Sequence, residues 1–241
     1  VNFFDYDFWT EPSGQKWTPP GAAKAPFYID LSRKTLNGSN FKGANLSNVS
    51  LAGSNLVGAN FEDANLSGAG LNYANLSEAN FENANLTGAS LNRVKTKNTN
   101  FTSANLSNST YEEDNPRGNI YVGAQVNAIF RNANLTNMKT EKINLEGLDL
   151  RYANLTGTKL RNANLKDADL TGAIFRNASI SGARVDNANF TFVDLSQTMM
   201  QNVSFDLAIL CETIMPWGIE DSGCTKIEKP ETDMDMDDFN L

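Results

Sequence analysis

Gly43 to Leu91 reads GANLSNVSLAGSNLVGANFEDANLSGAGLNYANLSEANFENANLTGASL. In it Ala-Asn-Leu or a near variant returns every fifth residue: Ala44-Asn45-Leu46, Ala59-Asn60-Phe61, Ala64-Asn65-Leu66, Ala74-Asn75-Leu76, Ala79-Asn80-Phe81 and Ala84-Asn85-Leu86. On an α-helix five residues advance about 500°, so the large apolar residue moves roughly 140° around the axis per repeat and never builds one face. In a straight strand side chains alternate, and an odd period would send Leu46 to one face and Leu51 to the other. What remains is a chain that turns a corner once per repeat. A short extended piece points Ala and Leu/Phe inward with Asn outward between them, the next two residues make the corner, and the product is a coil.

The number of sides follows from the phenylalanines. Phe41, Phe61, Phe81 and Phe101 recur every twenty residues and Tyr121 continues the series, so like stacks on like if one coil holds four repeats. The predicted cross-section is a square, with stacked coils hydrogen-bonded as parallel strands about 4.8 Å apart and each coil touching only its neighbours. These residues resemble the pentapeptide-repeat family over roughly residues 31 to 210. The resemblance implies an all-β fold, a right-handed quadrilateral parallel β-helix. Counting fifth-residue slots predicts about nine coils, roughly 43 Å of solenoid.

The 241 residues, 40% hydrophobic, suffice for one such domain, and no apolar run reaches the eighteen or so residues of a membrane span. The chain is expected to be soluble. It begins without Met or a signal-like segment, so any export or transit peptide is expected to have been removed already. The net charge of -8 sits mostly at one end: residues 212–241 hold nine acidic and two basic side chains, the remainder 19 acidic and 18 basic. The predicted solenoid is nearly neutral.

Three parts are expected. Residues 1–30 lack the repeat and carry eight aromatics: Phe3, Phe4, Tyr6, Phe8, Trp9, Trp17, Phe27 and Tyr28. They can cap the open solenoid end, covering its apolar cross-section and strand edges. Alternatively, Phe3, Phe4, Phe8 and Trp9 can anchor a partner, since such residues are enriched in binding hot spots. Residues 31–210 form the coil, with Ala or Ser at the inward position before each centre and occasional larger residues, Val49 and Val94. The pattern breaks at 112–129: Thr96 stands where Leu is expected, Pro116 falls in the same column one coil later, and Asp114 and Asn119 take inward sites. Glu112 to Asn119 is expected to bulge outward, because Pro cannot donate to a ladder and buried polar groups need partners. The frame also slips. Tyr111, Tyr121 and Val126 keep the first register while Phe130, Leu135, Leu145 and Leu150 sit one residue short, which reads as a deletion with no long loop.

On four repeats per coil, Arg93, Glu113 and Asn132 share one outward column and Glu112, Arg131 and Arg151 its neighbour. Stacked opposite charges account for them; a ligand recruited by Arg131 and Arg151 is the alternative. Beyond Leu210 the chain reads Cys211-Glu212-Thr213-Ile214-Met215-Pro216-Trp217-Gly218, with Cys224 following. This segment is similar to the terminal segment of many cyanobacterial and plastid pentapeptide-repeat proteins, Cys-x-Thr-x-Met-Pro-Asp-Gly followed by a second Cys. Trp217 replaces the Asp and puts that position's turn role in question. Two cysteines at a solenoid end favour a Cys211–Cys224 disulfide closing the cap, while two Cys and no His argue against a metal site. The tail to Leu241 is acidic, with Met234, Met236 and Phe239 interspersed, a disordered composition.

Catalytic chemistry has no foothold. There is no His, no phosphate-binding glycine loop and no carboxylate pair that the repeat does not explain, so no catalytic, cofactor or metal residues are assigned. The Asn-Leu-Ser/Thr sequons arise from the repeat itself. The resulting expectation is a non-catalytic rod docking onto a protein partner or larger complex, such as a photosynthetic membrane complex with the rod as accessory subunit, through Phe3, Phe4, Phe8, Trp9, Met234, Met236 and Phe239, in the thylakoid lumen or periplasm. No nucleic-acid partner and no direct membrane span are expected. The alternative is a DNA mimic resembling the family members that bind gyrase and protect it from quinolones, which requires acid spread along the coils.

Overall fold

The computed structural model describes residues 29–111, 127–140 and 143–224. Within them every fifth residue except Ser204 makes a parallel bridge to the residue one coil away, as in Asn40 to Asn60, Asn60 to Asn80 and Asn80 to Asn100. The bridges are one residue long, not extended strands. The reason is visible in one repeat, Asn60 to Ala64. Phe61 N–H donates forward to Asn80 O (2.7 Å), Asp63 N–H forward to Glu82 O (3.0 Å), Asn60 N–H back to Ser39 O (2.9 Å), and Ala64 N–H closes the corner on Phe61 O (2.9 Å). The fifth donor, Glu62 N–H, goes to the Asn60 side chain at 3.0 Å. All five donors are satisfied, as backbone with little access to water requires.

This accounting explains the sequence. Asn recurs between the two inward residues because its carbonyl caps the N–H two residues on, an Asx turn. The third corner residue has positive φ, for example Asp63 at 58°, the signature of a type II turn, which favours Gly, Asn and Asp. Tyr73 (63°), Tyr152 (59°) and Phe192 (61°) adopt it too.

The interior is dry and columnar. Phe41, Phe61, Phe81 and Phe101 stack face to face with centroids 4.8, 4.6 and 5.1 Å apart. Buried Ala lies beside them at Ala59, Ala64, Ala79 and Ala84. Threonines that enter this interior return a bond to backbone: Thr99 Oγ1 donates to Leu76 O and Thr158 Oγ1 to Leu135 O, each at 2.8 Å. Thr96 is fully buried, so the coil holds past it.

Two expectations are corrected at the break. Phe101 stacks not on Tyr121 but on Phe130, at 5.0 Å, and Asn100 bridges Ile129. The step from Asn98 to its partner Asn127 is 29 residues, against 20 for Asn45 to Asn65. The frame slip is therefore an insertion of nine residues into one coil, the difference between those steps, and not a deletion. Tyr121 and the Glu112–Asn119 bulge lie outside the described residues. The charge columns change as well. Ser103 N–H donates to Arg131 O, so Asn132 belongs under Ser103, while Arg93 stacks over Tyr73 at 5.4 Å.

Phe81→Ala should cost about 3–5 kcal/mol in denaturant melts, because its ring is held on both faces and its loss leaves a cavity. Gly172→Ala should cost more than Gly88→Ala: both have positive φ, but a Cβ at 172 meets the Tyr152 ring at 2.7 Å while nothing lies within 4 Å at 88. The shared φ penalty is about 1 kcal/mol.

Candidate docking surface

Several charges on the coil faces are held in local pairs. Arg131 and Arg151 both grip Asp149, at 2.9 and 2.8 Å, and Arg151 reaches Asp169 at 3.5 Å. Both guanidiniums are thus committed to carboxylates, which favours structure over a recruited ligand. Partial burial, the largest influence, pushes the Asp149 carboxyl above its ordinary range, with Arg131 pulling down and Asp169 adding to the push. Elsewhere Lys42 pairs with Glu62, Lys166 with Glu146 and Asp167, and Arg184 with Asp186. Among the described residues no group of three or more His, Cys, Asp or Glu could hold a metal ion. No helix among them is long and apolar enough to cross a membrane.

One side is uncharged over many coils. Asn45, Asn65, Asn85 and Asn105 rise along it, Asn65 donating to Asn45 (3.2 Å) and Asn85 to Asn65 (3.3 Å). These side chains serve each other and their own turns.

The carboxyl-terminal end is different. β1 (Thr213–Met215) and β2 (Gly218–Glu220) form an antiparallel hairpin with Thr213 opposite Glu220. β1 continues the solenoid: Ile214 bridges Asp194, Thr213 Oγ1 donates to Phe190 O at 2.8 Å, and Met215 is buried. Pro216 and Trp217 make the hairpin turn, so Trp217 fills a turn position, its indole N–H donating to Glu220 at 2.9 Å. Cys211 is bonded to Cys224, as the terminal motif leads one to expect. Gly223 N–H closes on Leu210 O at 2.7 Å, an approach only glycine permits, since a Cβ there would stand 2.6 Å from Leu210 N.

This end also gathers exposed apolar side chains. Ile214 and Ile219 face each other across the hairpin, and Ile219 and Trp217 are 68% and 66% exposed. Sequence reading missed the hairpin contribution because Ile214 falls in the outward column of the repeat and nothing local pairs it with Ile219. The predicted docking residues Phe3, Phe4, Phe8, Trp9, Met234, Met236 and Phe239 lie outside the described residues.

Comparison with solved structures finds the same architecture. HetL, a pentapeptide repeat protein involved in heterocyst differentiation regulation from the cyanobacterium Nostoc sp. strain PCC 7120, is 27% identical with a TM-score of 0.53, covering 82% of this chain and 94% of its own. QnrB1, a plasmid-mediated fluoroquinolone resistance protein, is 18% identical over 73% of this chain and 86% of its own at a TM-score of 0.45. A pentapeptide repeat protein of the Arabidopsis thaliana thylakoid lumen is 22% identical, TM-score 0.19, over 63% and 68%. A search of curated proteins returns no significant match. The family model for pentapeptide repeats matches eight copies within residues 29–68, 44–83, 79–110, 128–167 and 153–191, so the chain belongs to the pentapeptide repeat family.

Proposed function

We propose that the protein is a non-catalytic interaction rod that docks through its ends onto a larger protein assembly. The observation that carries this reading is the contrast between faces and end. Along the coils, acidic and basic side chains nearly balance, several of them are paired locally, and each patch resembles the one a coil away, so a face would specify register on a partner poorly. At the carboxyl-terminal end the repeat stops, and Ile214, Trp217 and Ile219 stand exposed on a hairpin tied down by a disulfide. Aromatic and branched apolar side chains on a fixed frame are what binding hot spots require.

The N-terminal aromatics Phe3, Phe4, Phe8 and Trp9 supply the second unique segment, and the tail beyond Cys224 a third. The non-catalytic reading is supported by the absence of His from the sequence and by acidic side chains that the coil already employs. The near balance of 19 acidic and 18 basic side chains outside residues 212–241 weighs against the duplex-mimicking alternative, which needs a continuous negative face. The disulfide and the terminal motif support an oxidising compartment, with the thylakoid lumen or periplasm as the proposed location and a photosynthetic complex as the proposed assembly.

Two experiments test this. Deleting residues 1–10, and separately 229–241, should weaken co-purification with the assembly while leaving the β-rich circular dichroism unchanged; full retention by both would move the binding surface to the coils. In native extract, alkylation without reductant should leave the intact mass unchanged, and two alkyl groups should appear only after reduction. Two freely alkylated thiols would contradict the oxidising compartment.

A further inference from the structure

Among the described residues the carboxyl-terminal end of the solenoid is closed on two sides. β2 and the residues after it run antiparallel beneath the last coil, and the register with Thr213 opposite Glu220 continues to Leu210 opposite Gly223. No described residue lies beneath the other two sides, residues 199–207. One coil earlier Ile180 N–H donates to Met199 O, Gly182 N–H to Gln201 O and Ala183 N–H to Ile180 O, each at 2.8 Å. Among the described residues nothing accepts from the equivalent N–H groups of Met200, Asn202 and Val203. The side chains tell the same story. Ile180 is fully buried, yet Met200 and Phe205 are only partly so, and Met199 and Leu207 are 54% and 64% exposed. Phe205 meets the Phe190 ring edge-on at 5.7 Å and has no ring on its other side among the described residues. Unpaired donors beside an apolar floor make an edge that receives a strand.

The chain supplies its own candidate. At Gly223 it is already travelling antiparallel to the last coil, toward Ala208 and Leu207. Seventeen residues follow Cys224, which at about 3.3 Å each when extended can run the length of the open sides. Their apolar pattern is a strand's. Asp233-Met234-Asp235-Met236-Asp237 alternates, placing both methionines on one face and three carboxylates on the other. A row of outward aspartates would also blunt the new edge and keep rods from adding end to end.

We propose that residues 225–239 complete the last coil as an added strand, seating Met234 and Met236 against Met200 and Phe205 and turning the aspartates to water. The tail then finishes the end, a role that stands whether or not the end docks.

Hydrogen exchange on the isolated full chain tests it, together with a chain ending at Cys224 and the full-length double variant Met234→Asp, Met236→Asp. Amides of residues 200–207 should exchange about tenfold or more slowly in the full chain than in both variants, independent of protein concentration. Equal rates in all three would overturn the proposal. Loss of protection in the truncated chain alone would overturn the methionine seating. Protection that fades on dilution, with a dimer mass at high concentration, would overturn it in favour of a second copy on that edge.

Discussion

Everything in this molecule depends on backbone hydrogen bonds between neighbouring coils. Each pentapeptide sends two N–H groups forward and one back, closes one on its own corner, and covers the last with an Asn side chain, as Asn60 to Ala64 show. A coil alone would leave three donors per repeat, with their acceptors, open and its apolar interior wet. Stability therefore belongs to the stack, and the ends are where it is incomplete.

The same constraint strips the faces of information. A side chain on a corner has its counterpart one coil away, so charges find partners locally, as Arg131, Asp149, Arg151 and Asp169 do in succession. Asn side chains on the uncharged side are spent on turns and on each other. Such pairs contribute little stability each, roughly 0.2–1 kcal/mol. What is not repeated is at the termini and at the inserted coil.

Much of this was legible in the sequence. The period of five gave the corner, the period of twenty gave the square, and Phe41 to Phe101 named the stacked column. The break was misread for a definite reason. Periodicity reports position only modulo five, so a loss of one residue and a gain of nine leave Phe130 in the same phase, and only its ring partner, Phe101, tells them apart. The Arg93 and Arg131 columns were misassigned by the same error. The hairpin was hidden because Thr213 and Met215 continue the inward pattern of the coil, and nothing local announces that Gly218 to Glu220 turns back beneath it.

The proposed contacts with other proteins lie at the ends of the rod, and cross-linking mass spectrometry of the native assembly can locate them. Docking at the ends predicts cross-links to other subunits from the hairpin around Trp217 and from the amino-terminal aromatics, with the middle coils cross-linked only within the chain. Links to another subunit recurring every twenty residues along one face would contradict it.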